Sequence, residues 1–272
     1  MAEGATNLCI DSSDRRKSVY TPKLSLKVRA PSYLPAMDST QRVVIITGAS
    51  RGIGASLVTS YRELGFHVVA TSRSIAPSKD EQVLTIAGDI RERSTAQNVV
   101  AGAKERFGRI DTIINNAGVF VAKPFTQYTE AEYAAVLGVN LTGFFHITQL
   151  AIAEMEKRHS GHVVQVTTSL IEHANSHVPS VLASLTKGGL SAATKSLAIE
   201  YAKLGIRVNA VAPGVIKTPM HPVETHAQLA KLHPLGRMGE ISEIVGAILY
   251  LESAGFVTGE TIHVDGGQSA GH

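Results

Sequence analysis

From residue 42 onward the chain alternates two hydrophobic rhythms. Short runs of β-branched and apolar residues are separated by longer stretches in which apolar side chains recur every three or four positions. The short runs predict strands at Val43–Thr47, His67–Thr71, Val83–Ala87, Thr112–Asn115, His162–Thr167, Arg207–Ala212 and Thr261–Val264. The longer stretches predict helices over Gly52–Leu64, Ser94–Phe107, Glu130–Val139, Leu141–Arg158, Val181–Leu204 and Glu240–Leu251. Strands that alternate with helices imply right-handed crossovers. The expected fold class is α/β: one doubly wound parallel sheet with helices on both faces.

Residues 1–40 break this rhythm. They mix Ser, Pro and charge without apolar periodicity, and are expected to form a disordered N-terminal extension. They lack the apolar segment of a secretory signal, and their acidic residues argue against an organellar transit peptide. The remaining composition narrows the class. Net charge is only +3, so no nucleic-acid surface is indicated. A single cysteine, Cys9, excludes an internal disulfide framework and fits a reducing, cytoplasmic setting. No uninterrupted apolar run approaches the about 20 residues of a membrane span.

In an open parallel sheet, ligands bind beyond the carboxyl ends of the strands, where strand order reverses. The loops after the strands are therefore the places to look. The first reads Gly48-Ala49-Ser50-Arg51-Gly52-Ile53-Gly54, three glycines between a strand and a helix. Glycine allows a tight turn and close backbone approach, and the helix start offers free amides to a phosphate. Asn115-Asn116-Ala117-Gly118 follows the fourth strand and Asn140 sits in Val139-Asn140-Leu141. Pro213-Gly214-Val215-Ile216-Lys217-Thr218 follows the sixth strand, and Val264-Asp265-Gly266-Gly267 stands near the end.

Five motifs in this order, each after its own strand, resemble the short-chain dehydrogenase/reductase family over residues 42–272. The resemblance implies a Rossmann-like NAD(P)-binding reductase domain over 41–272. It also implies a small-molecule carbonyl or alcohol substrate, and a homodimer or homotetramer packed through the long helices. By resemblance, Asp89 in Gly88-Asp89-Ile90 contacts the adenine, while Thr218 and the backbone near Ile216 hold the nicotinamide amide. The same comparison brings Asn116, Ala117, Gly118, Pro213 and Gly214 to the cofactor. The second strand ends in Ser72-Arg73, without the acid that would bind a ribose 2′-hydroxyl. Arg73, with Arg51, offers forked bidentate donors suited to a 2′-phosphate, so the expected cofactor is NADP.

The chemistry has a gap. In this family a serine polarises the carbonyl and a tyrosine donates the proton. A lysine four residues after the tyrosine lowers the phenol pKa and holds the nicotinamide ribose, and an asparagine supports a water relay. Lys187 and Asn140 match those positions, but the tyrosine position holds Ala183. The seven tyrosines are 20, 33, 61, 128, 133, 201 and 250, so a small register shift supplies none. The serine position falls on Thr168 by spacing or on Ser169 by residue type. Losing a general acid costs about 10² to 10⁴ in rate, or about 3–5.5 kcal/mol of barrier. Candidate replacements are His173, His177, Lys187 acting directly or through water, and the Thr168/Ser169 hydroxyls. A second reading is a catalytically silent dinucleotide-binding protein. By the same resemblance, Met220–Gly236 folds over the substrate as a lid; its His221, His226 and His233 are expected to be solvated or to face substrate, and their spacing fits no zinc pattern.

Overall fold

The computed structural model describes residues 42–271. The 1–40 extension inferred above lies outside the described residues. Seven strands form one sheet: β1 (Val43–Thr47), β2 (His67–Ser72), β3 (Val83–Ala87), β4 (Thr112–Asn115), β5 (Gly161–Val166), β6 (Ile206–Pro213) and β7 (Thr261–Val264). Their order is β3-β2-β1-β4-β5-β6-β7, and every pair is parallel. The expected doubly wound, Rossmann-like fold is the one observed.

The helices are α1 (Gly52–Glu63), α2 (Arg93–Phe107), α3 (Glu130–Leu137), α4 (Gly143–Glu156), α5 (Val181–Tyr201), α6 (His226–Ala230) and α7 (Ile241–Ser253). They fall on two faces because the strand pleat sorts side chains by alternation. Val43 and Ile45 of β1 point into a core shared with α2, α4 and α5. Val44 and Ile46 point the other way, into a core shared with α1 and α7. All five β1 residues are buried, which is why the central strands read as unbroken apolar runs.

Two departures from the sequence reading have local causes. The predicted break between helices near Asn140 is no break. The helix runs on through a π turn, Gly138–Thr142, that joins α3 to α4. The combined stretch Glu130–Glu156 is long and apolar enough to cross a membrane by length and composition alone. Here its inward face, including Ile147, Ala151, Ile152 and Met155, belongs to the core. The second departure is α6, a short helix that weak periodicity in Met220–Gly236 did not reveal.

A buried polar cluster closes the sheet at its amino-terminal edge, opposite the reversal crevice. Glu252 of α7 accepts from Tyr61 Oη at 3.1 Å, Thr112 Oγ1 at 3.0 Å and His162 Nδ1 at 3.2 Å. Asn209 Nδ2 lies 3.4 Å from His162 Nε2. That pair fits a neutral imidazole, donating through Nδ1 and accepting through Nε2, and burial likewise lowers the His162 pKa. Burial works against the Glu252 carboxylate too, while the hydrogen bonds from His162 and Thr112 and the Arg42 charge favour its ionised form.

Glu252→Ala strands three buried donors at once. It is expected to destabilise the protein by about 3–5 kcal/mol in urea denaturation. A loss below about 1 kcal/mol would show that the cluster contributes little.

Candidate functional site

Strand order reverses between β1 and β4, and their carboxyl ends open a crevice there. Two residues staple its floor. Thr47 Oγ1 accepts from the backbone N–H of Asn116 at 3.0 Å and of Ala117 at 2.9 Å. Asn116 Nδ2 donates in return to the Thr47 carbonyl at 2.9 Å and the Gly48 carbonyl at 3.2 Å. The glycines are needed for this closeness. Gly48 has φ +66°, and a Cβ there would stand 2.9 Å from Ala117 Cα. A Cβ on Gly54 would stand 2.2 Å from the Gly48 carbonyl oxygen.

Above this floor lies a cavity of about 580 Å³. The structure brings nearly every residue singled out in the sequence onto its wall. Gly48, Ser50, Arg51, Gly52, Ile53 and Gly54 come from the first loop, and Ser72, Arg73, Asp89 and Ile90 from the loops after β2 and β3. Asn116, Ala117 and Gly118 follow β4, Thr168 and Ser169 follow β5, and Pro213, Gly214, Ile216 and Thr218 follow β6. Ala183 and Lys187 line it from α5. Asp89 also serves its own turn, accepting from the Arg91 backbone at 3.0 Å and pairing with the Arg91 guanidinium. The hydrogen bond from that side chain holds its pKa low.

The chemistry of this wall fits a dinucleotide. Arg51 caps α1 without a side-chain bond to its amides, and the first turn holds no acid, so those amides face the cavity unanswered by side chains. Thr71 Oγ1 and Ser72 Oγ are buried at the end of β2 without a partner among the described residues, and both residues line the cavity. The Asp89 carboxylate at this end is taken up by the Arg91 guanidinium.

Asn140 is placed differently. It is 1% exposed and sits behind the wall, inside the π turn. Its Oδ1 accepts from the Val119 N–H at 2.9 Å; its Nδ2 donates to the Val119 carbonyl and to Thr186 Oγ1, both at 3.1 Å. Thr186 passes its own proton to the Leu182 carbonyl at 2.7 Å. Asn140 thus ties the loop after β4 to α5, one residue before Lys187.

Lys187 Nζ donates to the Val166 carbonyl at 2.6 Å and would stand 3.1 Å from a Cβ on Gly118. It is 8% exposed, and no carboxylate pairs with it among the described residues. Burial pushes its pKa down to about 8. Since the unfolded chain keeps this proton up to 10.5, folded stability rises as pH climbs from about 8 toward that value.

The two hydroxyls separate. Thr168 Oγ1 accepts from the Leu170 N–H at 3.4 Å, which leaves its own proton free to donate. Ser169 is fully buried and donates to Gln268 Oε1 at 3.0 Å. Gln268 was not singled out in the sequence; its signal was only its place directly after the Asp265-Gly266-Gly267 turn.

The histidine expectations need correcting. His173 and His177 are not on the cavity wall, whereas His221 is. His233 is neither solvated nor substrate-facing. It is buried, with Nε2 accepting from the Val215 N–H at 2.9 Å, and it packs against Gly214 and Gly266. Glycines on both sides leave room for the ring, a juxtaposition that sequence spacing does not disclose. No group of three potential metal-ligating side chains occurs among the described residues.

Comparison with known proteins agrees with this architecture. A family model described as enoyl-(acyl carrier protein) reductase matches residues 48–269. The 3-oxoacyl-(acyl-carrier-protein) reductase FabG of Thermotoga maritima is 34% identical over 240 residues, covering 83% of this chain and 97% of that enzyme. The L-fucose dehydrogenase of Mus musculus is 33% identical over 247 residues, covering 85% and 89%. Among solved structures, ElxO with NADP bound superposes with TM-score 0.78 at 26% identity, covering 85% of this chain and all of that one (100%). The ligand-free aldohexose dehydrogenase of Thermoplasma acidophilum gives TM-score 0.78 at 26% identity, covering 86% and 96%.

The bonds of Asn140 set a direct test of its placement. Asn140→Ala leaves the Val119 amide without its acceptor in a buried site, and should lower stability by about 2–4 kcal/mol in urea titration. Unchanged stability would refute a structural role for this side chain.

Proposed function

The chain belongs to the short-chain dehydrogenase/reductase family, and we propose that it is an NADP(H)-dependent oxidoreductase whose proton comes from Lys187 rather than from a tyrosine. Its reductase domain spans residues 41–272, and we place it in the cytoplasm. The observation that carries the reading is Lys187 itself: a buried ammonium on the cavity wall, one helical turn after Ala183, with no carboxylate among the described residues to fix its charge. When bound, the nicotinamide supplies or receives the hydride. The protein's own task is to hold the reacting carbonyl, stabilise the charge that develops on its oxygen and deliver a proton.

Thr168 takes the polarising role, because its hydroxyl faces the cavity with a free proton while that of Ser169 is spent on Gln268. Lys187 takes the acid role. A group titrating at about 8 is mostly protonated at neutral pH yet gives up its proton readily. Small Ala183 leaves the approach to Nζ open. Asn140 acts as a positioning residue that fixes Val119 and α5. Gly48, Ser50, Gly52, Ile53 and Gly54 hold the phosphates, Asp89 and Ile90 the adenine, and Ile216 and Thr218 the amide of the nicotinamide. Arg51 and Arg73 are exposed beside the end of β2 and no ion pair takes up either guanidinium among the described residues. They read the 2′-phosphate, in keeping with the NADP held by the structural relative ElxO. Exposed Phe145 and Ile199, on α4 and α5, support association into a homodimer or homotetramer.

Arg73→Ala and Arg51→Ala should each weaken NADPH binding about tenfold or more, and leave NADH binding unchanged, in equilibrium fluorescence titrations. Equal losses for both coenzymes would remove the arginines from cofactor discrimination.

The rate of carbonyl reduction should fall as pH rises through about 8, where Lys187 loses its proton. Lys187→Arg keeps the cation but cannot release a proton. Its rate should fall by about 10²–10⁴ and the alkaline limb near pH 8 should vanish. A retained limb in that variant would assign the acid to another group.

A further inference from the structure

The cavity has two chemically distinct ends. The end at the glycine loop and β2 offers amides, hydroxyls and two guanidinium groups. The other end is walled by three loops that contribute Phe120 after β4, Leu170 and Val178 after β5, and Met220, Leu229 and Leu232 after β6. Leu229 is the penultimate residue of α6 and Leu232 lies in the turn beyond it, its N–H bonded to the Leu229 carbonyl at 3.2 Å, and both line the cavity. Phe120 and Met220 keep much of their surface exposed at the rim.

Polar groups at this end are few, and most are already engaged. Lys187 and Thr168 serve the reacting oxygen. Gln268 accepts the Ser169 proton. His221 is the remaining titratable group. Burial lowers its pKa, and its backbone carbonyl is bonded to His226 Nε2 at 3.1 Å. No Asp or Glu lines this end; Asp89 stands at the other, paired with Arg91. A sugar would bring several hydroxyls to a wall that cannot answer them, and each one left unpaired in a dry site costs about tenfold in binding. A carboxylate would find Lys187, which has another task, and His221, whose charged form burial disfavours.

We propose that the substrate is an uncharged ketone or aldehyde, with its matching alcohol, whose substituents are hydrocarbon chains or rings rather than sugar or carboxylic acid groups. This rests on the oxidoreductase reading above and adds to it the substrate class.

The test uses the full-length enzyme with NADPH and the series butanone, hexan-2-one, octan-2-one and acetophenone, against glucose, fucose and pyruvate. The specificity constant kcat/KM should rise about fourfold per added methylene while the chain is still entering the wall. A flat series, or faster turnover of a sugar or of pyruvate, overturns the proposal. Leu229→Asp and Leu232→Asp should lower kcat/KM for octan-2-one at least about tenfold, mainly through KM, with NADPH affinity unchanged. Unchanged octan-2-one kinetics in both variants also overturns it. Calorimetric titration of the enzyme–NADP complex reads the same preference without turnover. Octan-2-one binding with a negative heat-capacity change supports the apolar site even if no carbonyl is reduced, in which case only the oxidoreductase reading fails. Glucose binding without octan-2-one binding, or binding of neither, overturns it.

Discussion

The site depends on one contact, where the loops after β1 and β4 meet at the reversal of strand order. Thr47 and Asn116 exchange hydrogen bonds across that crevice, and no side chain fits between the two backbones at Gly48. A reversal leaves neighbouring loops diverging to opposite faces of the sheet, so a gap opens at every such point. Here the gap is given a rigid floor. The glycine loop, the start of α1 and the Asn116-Ala117-Gly118 segment all take their positions from it, and the rest of the cavity is arranged around that edge.

From this floor a second chain of contacts reaches the reacting end. The loop after β4 carries Val119, which both gives and takes a hydrogen bond with Asn140. Asn140 in turn reaches Thr186, so the π turn registers α5 against the loop. A π turn is poorly stable in isolation, and its local cost is offset by the three hydrogen bonds that the Asn140 side chain makes. Lys187 follows directly, pressed against Gly118 and bonded to the Val166 carbonyl. Its position therefore depends on β4, β5, the π turn and α5 together.

The consequence is a lysine whose electrostatics differ from those of a surface residue. Buried without a carboxylate among the described residues, it bears the full cost of desolvation, and that cost is what brings its titration toward neutrality. A paired lysine would be a fixed charge. The neighbouring hydroxyls differ in partner and burial: the fully buried Ser169 donates to Gln268, whereas Thr168 only accepts, from the Leu170 N–H.

The sequence by itself determined the sheet, because apolar runs and helical periods are local properties. All seven strands were legible, with ends displaced by no more than a residue. It also marked the glycine loop that lines the crevice, since three glycines between a strand and a helix carry their own reason. What it could not decide depended on partners far along the chain. Asn140 meets Val119 and Thr186, and Ser169 meets Gln268 across 99 residues. Thr168 and Ser169 are adjacent and chemically alike, so only their tertiary partners and burial separate them. His233 looked like a lid residue because a histidine's role follows its surroundings, and those were supplied by Gly214 and Gly266. Periodicity records which side of an element is buried; which group waits on the other side is settled only when the loops converge.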